Sequence, residues 1–309
     1  MGVRLAASLG LFLGSMALGW WLHRRGVMTP TRAAHLVRFI VKGPSPVVLC
    51  LSFWRMNLRS VEPWLLPLTG LLVAASTLLP AYWYARRAKL SRSQTGSFLT
   101  SAFFSNLGYL GAFTAFAMFG EEAYALCVLY FTFFTPSFYT WGFWVGMRYG
   151  HAPDSLKQAE MFKDDLRFYP FMGMVIGAVL SLSGLPRPPL LEQLNHALIP
   201  FDTALYLVAV GSQISVTSPR PWLRECLAMS AIKFIYTPLV AWALASALGL
   251  KGLARLVVLL EASTPVGVSP LVLPLLFGLD RRLTNALWLF TTALAIPWLL
   301  LVLPLLARL

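Results

Sequence analysis

Apolar residues run through this chain in long unbroken blocks, and polar residues collect between the blocks. Ten such blocks stand out, at 3–22, 33–53, 62–84, 95–119, 122–147, 168–184, 198–217, 223–249, 253–277 and 283–307. An α-helix needs roughly 20 apolar residues to cross the ~30 Å hydrocarbon core of a bilayer. The blocks have that length. A membrane barrel would instead show alternating polarity along each strand. The stretch 188–197 (PPLLEQLNHA) is too short to cross and predicts an interfacial helix. The expectation is an all-α polytopic membrane protein with ten transmembrane helices.

Composition narrows the class. Of 309 residues, 58% are apolar and 12% charged, with a mean hydropathy of +0.69. Too few polar side chains remain to cover a water-facing surface, which excludes a soluble enzyme, a disordered chain and a nucleic-acid-binding domain. The net charge of +13 therefore reports topology. The odd-numbered loops carry 15 Lys and Arg, against 7 in the even loops and the termini. By the positive-inside rule the odd loops face the cytoplasm and both termini lie outside. The longest loop, 148–167, falls at the midpoint of the chain and reads as a cytoplasmic linker. It separates a first half, 1–147, from a second, 168–309. Residues 3–22 lack an Ala-x-Ala-like cleavage context and read as the first span. Cys50, Cys127 and Cys226 lie inside apolar runs without paired spacing, so they read as small core residues.

Secondary transporters are often two inverted halves whose interrupted helices occupy matching positions. Span 4 contains NLGYLG and ends at Phe119-Gly120; span 9 contains TPVGVS and ends at Phe277-Gly278. The two glycines are 158 positions apart, and at that offset Asn106 falls on Thr264 and Gly111 on Ser269. Pro265 and Pro270 remove backbone donors, while Gly108, Gly111 and Gly267 relax the steric limits on the backbone. Both spans are thus predicted to break near the membrane midplane. Pro44 and Pro46 interrupt span 2, and Pro200 opens its counterpart, span 7. Five spans per half is an odd number, so the second half inserts inverted. Backbone groups released by such breaks are tolerated only where they are buried or line a polar cavity, and helix N-termini there attract anions. The candidate cargo site is accordingly Asn106, Gly108, Gly111, Thr264, Pro265, Gly267 and Ser269.

Taken together, these residues resemble the auxin efflux carrier family of membrane transporters. The stretch Ala231–Gly267 is similar to the family pattern: a basic residue and Pro in span 8, then a Pro-x-Gly-x-x-Pro break formed by Pro265, Gly267 and Pro270. The element SNLGYLGAF followed by MFG resembles the family's Asn-centred break in span 4. The resemblance implies two inverted five-helix repeats with spans 4 and 9 crossing. It also implies an elevator-type movement, a homodimer and a small organic anion as cargo. By motif match Asn106 would contact the cargo carboxylate, while Pro265 and Gly267 would shape the opposite half of the crossover. Where many relatives carry Pro after the span 4 break, this chain has Phe113. The short central loop suits a bacterial carrier of the inner membrane.

Ionisable residues within spans are functional hypotheses by default. Glu261, one turn before the span 9 break, could bind Na⁺ with Ser263 and Thr264, carry a proton, or pair with a nearby basic residue. Ser105-Asn106 with Glu261 also resembles the sodium–bile acid symporters, a related fold, and this makes Ser105 a further coupling candidate. Lys233 in span 8 could neutralise Glu261 or an anionic cargo, or snorkel to an interface. Asp202, at the start of span 7, reads as a helix-terminal charge or cap, and Gln213 as a hydrogen bond between helices. The Glu121-Glu122 pair suits a helix N-terminus. The aromatic run 131–144 reads mostly as lipid-facing packing and an interfacial belt. Nucleotide, hydrolase and metal motifs are missing, so no enzyme activity, metal or cofactor is expected beyond coupling to Na⁺ or H⁺. The expected partners are a small organic anion and the lipid bilayer. The alternatives are a Na⁺ symporter of the bile-acid type and a non-transporting membrane sensor built on the same fold.

Overall fold

The computed structural model describes residues 2–151, 168–213 and 218–306, and among these every regular element is helical. The predicted linker lies outside the described residues from 152 to 167, with its Lys157, Lys163 and Arg167. So do the ends of the predicted blocks 198–217 and 283–307. Among the described residues, five helical stretches are long and apolar enough to cross a membrane: Pro30–Arg55, Glu62–Arg87, Pro189–Gly211, Arg220–Ala247 and Arg281–Val302. Leu107–Phe119 and Tyr169–Ser183 are shorter apolar helices. Large apolar side chains such as Trp64, Leu79, Trp83, Val179 and Leu239 are exposed. That many exposed apolar side chains would be a liability in water and suits a hydrocarbon solvent.

Proline and glycine set the helix boundaries. Helix α1 spans Gly2–Arg24. The second predicted span is α2 (Pro30–Lys42) and α3 (Pro44–Arg55), parted at Gly43 because Pro44 and Pro46 cannot donate to the preceding turn. Next come α4 (Glu62–Ser76) and α5 (Leu78–Arg87). Helix α6 (Arg92–Phe103) opens on a reciprocal cap between Ser91 and Gln94. A π-helical stretch, Leu107–Ala112, runs into α7 (Phe113–Phe119), which stops at Gly120 with φ +86°. The block 122–147 contains α8 (Glu121–Tyr130), α9 (Phe134–Ser137), a π turn at Phe138–Gly142 and α10 (Phe143–Tyr149). Helix α11 is Phe168–Ser183 and α12 is Pro189–Gly211. Span 8 divides into α13 (Leu223–Ala231), a π turn at Ile232–Tyr236 and α14 (Thr237–Ala247). Span 9 divides into α15 (Gly252–Ala262), a 3₁₀ turn at Ser269–Leu271 and α16 (Leu273–Phe277), ending at Gly278 with φ +70°. Helix α17 is Arg281–Leu306.

Span 7 departs from expectation. The stretch 188–197 is no separate interfacial helix; it is the first half of α12, and Pro200 lies inside that helix instead of opening it. Proline is tolerated within membrane helices when neighbours satisfy the freed groups. Asp202 is consequently an interior residue, buried, and its carboxylate accepts a 2.7 Å hydrogen bond from the Ser45 hydroxyl. It caps nothing. Gln213 lies past the end of α12 and is exposed, with no side-chain bond to another helix among the described residues.

The chain divides into two compact units, each drawing on both halves of the sequence. The first comprises residues 1–64, 108–128 and 164–214. Glycines bring its backbones into contact. A Cβ on Gly173 or Gly177 of α11 would lie 2.1 or 2.2 Å from the Pro46 or Cys50 carbonyl oxygen of α3. Between α1 and α12, Gly19 meets the Val208 carbonyl and Gly211 the Met16 carbonyl in the same way. Without a hydrophobic drive between helices in lipid, such close approach is what holds them. An ion pair adds a second fastening. Arg187 grips both carboxylate oxygens of Glu121 at the start of α8, and it donates to the Leu51 carbonyl at 2.8 Å. Asn195 bonds the same carboxylate and the Ser52 hydroxyl. The helix-N-terminal role expected of Glu121 is therefore joined by a buried bidentate salt bridge.

The second unit comprises residues 65–107, 129–163 and 215–309. Its core is aromatic: Phe103, Phe104, Phe138, Phe143 and Phe277 are buried together with Leu273 and Leu276. Phe143 and Phe277 meet edge to face at 5.0 Å. The aromatic run 131–144 is therefore split, with Phe138 and Phe143 in this core and Phe133 and Trp144 exposed.

Two outcomes follow for stability. Gly177→Ala should destabilise the purified protein by about 1–3 kcal/mol through backbone overpacking. Gly14→Ala on α1, with nothing within 4 Å of its Cβ position, should be neutral or slightly stabilising; melting curves in detergent compare the two. Glu121→Gln leaves the buried Arg187 only the partly exposed Glu192 carboxylate, at 3.9 Å, as counter-charge and should cost about 3–5 kcal/mol, read as a lower melting midpoint and reduced yield of folded protein.

Candidate functional site

The site is built from an accounting of backbone hydrogen bonds. In an intact helix the Asn106 N–H would bond the Ala102 carbonyl, and the Gly108 N–H would bond that of Phe104. Here residues 104–106 are extended, and they pair antiparallel with the break in span 9 through a one-residue bridge between Ser105 and Val266. The Asn106 N–H donates to the Pro265 carbonyl at 2.8 Å, and the Gly267 N–H donates to the Phe104 carbonyl at 2.9 Å. Each break thus supplies a donor and an acceptor to the other. Gly267 is required by proximity: a Cβ there would lie 2.7 Å from the Ser105 carbonyl oxygen.

Hydroxyls satisfy what the proline leaves open. Pro265 has no N–H for the Glu261 carbonyl, and the Thr264 hydroxyl bonds that carbonyl at 2.7 Å instead. Ser263 returns its hydroxyl to the Leu259 carbonyl at 2.8 Å. The Val266 N–H finds the Thr291 hydroxyl of α17 at 3.2 Å. Glu261 itself ends α15 fully buried.

The remaining group is the Ala102 carbonyl, whose helical donor was diverted to Pro265. Lys233 takes its place. The lysine sits, fully buried, in the π turn of span 8, one residue before Phe234, whose carbonyl Pro238 cannot serve. Its ammonium donates to the Ala102 carbonyl at 2.6 Å and to the Ser105 hydroxyl at 2.7 Å. A cation at the last turn of α6 also complements that helix's dipole. Lys233 does not snorkel to an interface.

The second unit thus holds Ser105, Asn106, Lys233, Glu261, Ser263, Thr264, Pro265, Gly267 and Ser269 on or beside the two breaks. Gly108 and Gly111 lie one turn later, inside the π-helical stretch, and belong to the first unit. The extended part of span 4 is therefore FSN, which overlaps the NLGYLG patch only at Asn106, and Phe113 opens α7. Asn106 is 3% exposed, and its Nδ2 has no hydrogen-bond partner among the described residues. A buried donor left in that state costs about 1–3 kcal/mol. Sequence reasoning did not foresee Ala102 and Thr291. A carbonyl carries no residue-type signal, and Thr291 is one of three threonines in a mostly apolar span. The signal for Lys233 was an ionisable side chain within an apolar span.

Comparison with known proteins points to a membrane transporter. The family described as membrane transport protein matches residues 154–303. Over 283 residues the chain is 25% identical to an uncharacterized transporter of Methanothermobacter thermautotrophicus, covering 90% of this chain and 91% of that one. Over 261 residues it is 28% identical to an uncharacterized transporter of Methanocaldococcus jannaschii, covering 82% of each. Apolar helices, two paired helix breaks and these relatives together support a membrane transporter rather than an enzyme, similar over its second half to the membrane transport protein family of auxin efflux carriers.

Proposed function

We propose that the protein is a secondary transporter of small organic anions, binding the cargo carboxylate at the paired breaks and exposing it to each side in turn. The observation that carries this reading is the Asn106 side-chain amide, a buried donor with no acceptor among the described residues, beside two interrupted helices. A carboxylate supplies the acceptor that the protein withholds. Lys233 adds positive charge to the same neighbourhood. An anionic guest is therefore favoured over a neutral or cationic one.

The same reading includes ten spans in two inverted five-helix halves, 1–147 and 168–309, with both termini outside an inner membrane. The matched positive-φ glycines, Gly120 and Gly278, support it, since each closes the second piece of a broken span. An elevator movement in a homodimer goes with it. The partition into two compact units, each assembled from both halves, supports that mechanism. The mutually bonded breaks, residues 104–106 and 265–267, belong to one of these units with α6, α15 and α16, and the glycine-packed pairs α1–α12 and α3–α11 belong to the other with α7.

Reconstituted vesicles test the proposal with a panel of small carboxylates. Asn106→Ala should lower uptake of the responding carboxylate about tenfold or more while leaving the melting midpoint unchanged or higher, because it removes an unsatisfied buried donor. A variant that loses stability along with flux would mark Asn106 as structural. Binding without flux in the wild type would favour the sensor reading. Gly267→Ala should abolish uptake and cost about 1–3 kcal/mol, since its Cβ forces the two breaks apart; paired flux and melting measurements on one preparation check both.

A further inference from the structure

We propose that Lys233 is a built-in cation: its ammonium, held by the Ala102 carbonyl and the Ser105 hydroxyl, occupies the position a small monovalent cation would otherwise take at the broken end of α6, so that cargo binding needs neither Na⁺ nor K⁺. The inference rests on the transport reading only for its consequence for flux.

The argument begins with what the break exposes. Diverting the Asn106 N–H to Pro265 leaves the Ala102 carbonyl at the negative end of α6 without its helical donor. The Ser105 hydroxyl lies beside it, and both bond a single nitrogen at 2.6 and 2.7 Å. A terminal helix carbonyl and a hydroxyl are the hard oxygen ligands that alkali cations use at unwound membrane helices. Glu261, fully buried in the last turn of α15, brings a carboxylate to the partner break. These are ligands of the kind a coupling ion would use, yet two of them are already committed to a covalently tethered charge. Lysine suits the role because its charge is a compact point with three donors, and two of these are assigned. The π turn matters too. It sets the register of Lys233 within span 8 at the residue whose side chain reaches the α6 end. A dissociable ion would make satisfaction of the α6 end depend on ion concentration, whereas a tethered ammonium stays in place at the Ala102 carbonyl and the Ser105 hydroxyl.

The test replaces the tether and offers the ion. Full-length wild type, Lys233→Ala and Lys233→Met are melted in detergent at constant ionic strength in NaCl, KCl or choline chloride. The wild-type midpoint should not change with the salt. Lys233→Ala opens the position; its midpoint should be lowest in choline and climb by several degrees, saturably, as Na⁺ or K⁺ is raised, as mass action requires of an ion that binds only the folded state. Lys233→Met fills the space with an apolar chain and should show no recovery. If Lys233→Ala folds only when alkali salt is present during purification, that supports the proposal equally. If it folds in no salt, the smaller change Lys233→Gln is read by the same criterion. A flat response in every folded Ala or Gln variant overturns the proposal, as does a wild type that itself responds to Na⁺ or K⁺. In vesicles, wild-type uptake should be equal in Na⁺ and choline, and uptake by Lys233→Ala should require the alkali ion. If no carboxylate moves in any condition, the transport reading fails while the melting result still decides the fate of the tethered cation.

Discussion

A backbone amide or carbonyl in hydrocarbon must find a partner within the protein, because water is not there to supply one. Breaking two helices at membrane depth releases several such groups at once. In this protein the breaks satisfy each other: Asn106 to Pro265 and Gly267 to Phe104, around the Ser105–Val266 bridge. The rest of the site follows from that exchange. It sets the need for glycine at 267, hands the Ala102 carbonyl to Lys233, and calls on Thr264 and Thr291 for the groups that proline leaves unserved. The Asn106 side chain stands apart from this mutual satisfaction, which is why the function centres on it.

The two compact units solve the problem of cohesion in lipid differently. In the first, glycines on α1, α11 and α12 let backbones touch, and the Glu121–Arg187 pair ties the start of α8 to the turn before α12 and to α3. In the second, interlocking phenylalanines pack around the short pieces of broken helix, with Phe104 and Phe277 flanking the two breaks. A helix of five residues such as α16 cannot hold itself, so the aromatic packing substitutes for the continuity that the break removed.

Much of this was written in residue pattern. The blocks of apolar sequence correspond to helical stretches, and the Phe-Gly pairs at 119–120 and 277–278 end helices with positive φ as their chemistry requires. The Pro-x-Gly-x-x-Pro segment breaks span 9 because proline cannot donate and glycine can be approached. Span 7 was misread for an equally physical reason. Pro200 looked like a start signal, yet a membrane helix can carry proline in its interior, and this moved Asp202 from an end to the buried middle beside Ser45. The aromatic run 131–144 was misjudged because composition cannot distinguish a phenylalanine facing lipid from one facing a core when both surroundings are apolar.

The amino-acid sequence by itself determined the solvent of this protein, several of its helix ends, and the two places where spans 4 and 9 must break, since these depend on local properties: hydropathy, a missing N–H, an absent side chain. Only the tertiary structure decided which groups meet. A carbonyl at 102, a lysine at 233 and a hydroxyl at 105 are far apart in the chain, and the backbone exchange between two distant breaks is what makes that carbonyl available. Partnership over such separations depends on where helices pack, and no window of sequence contains it.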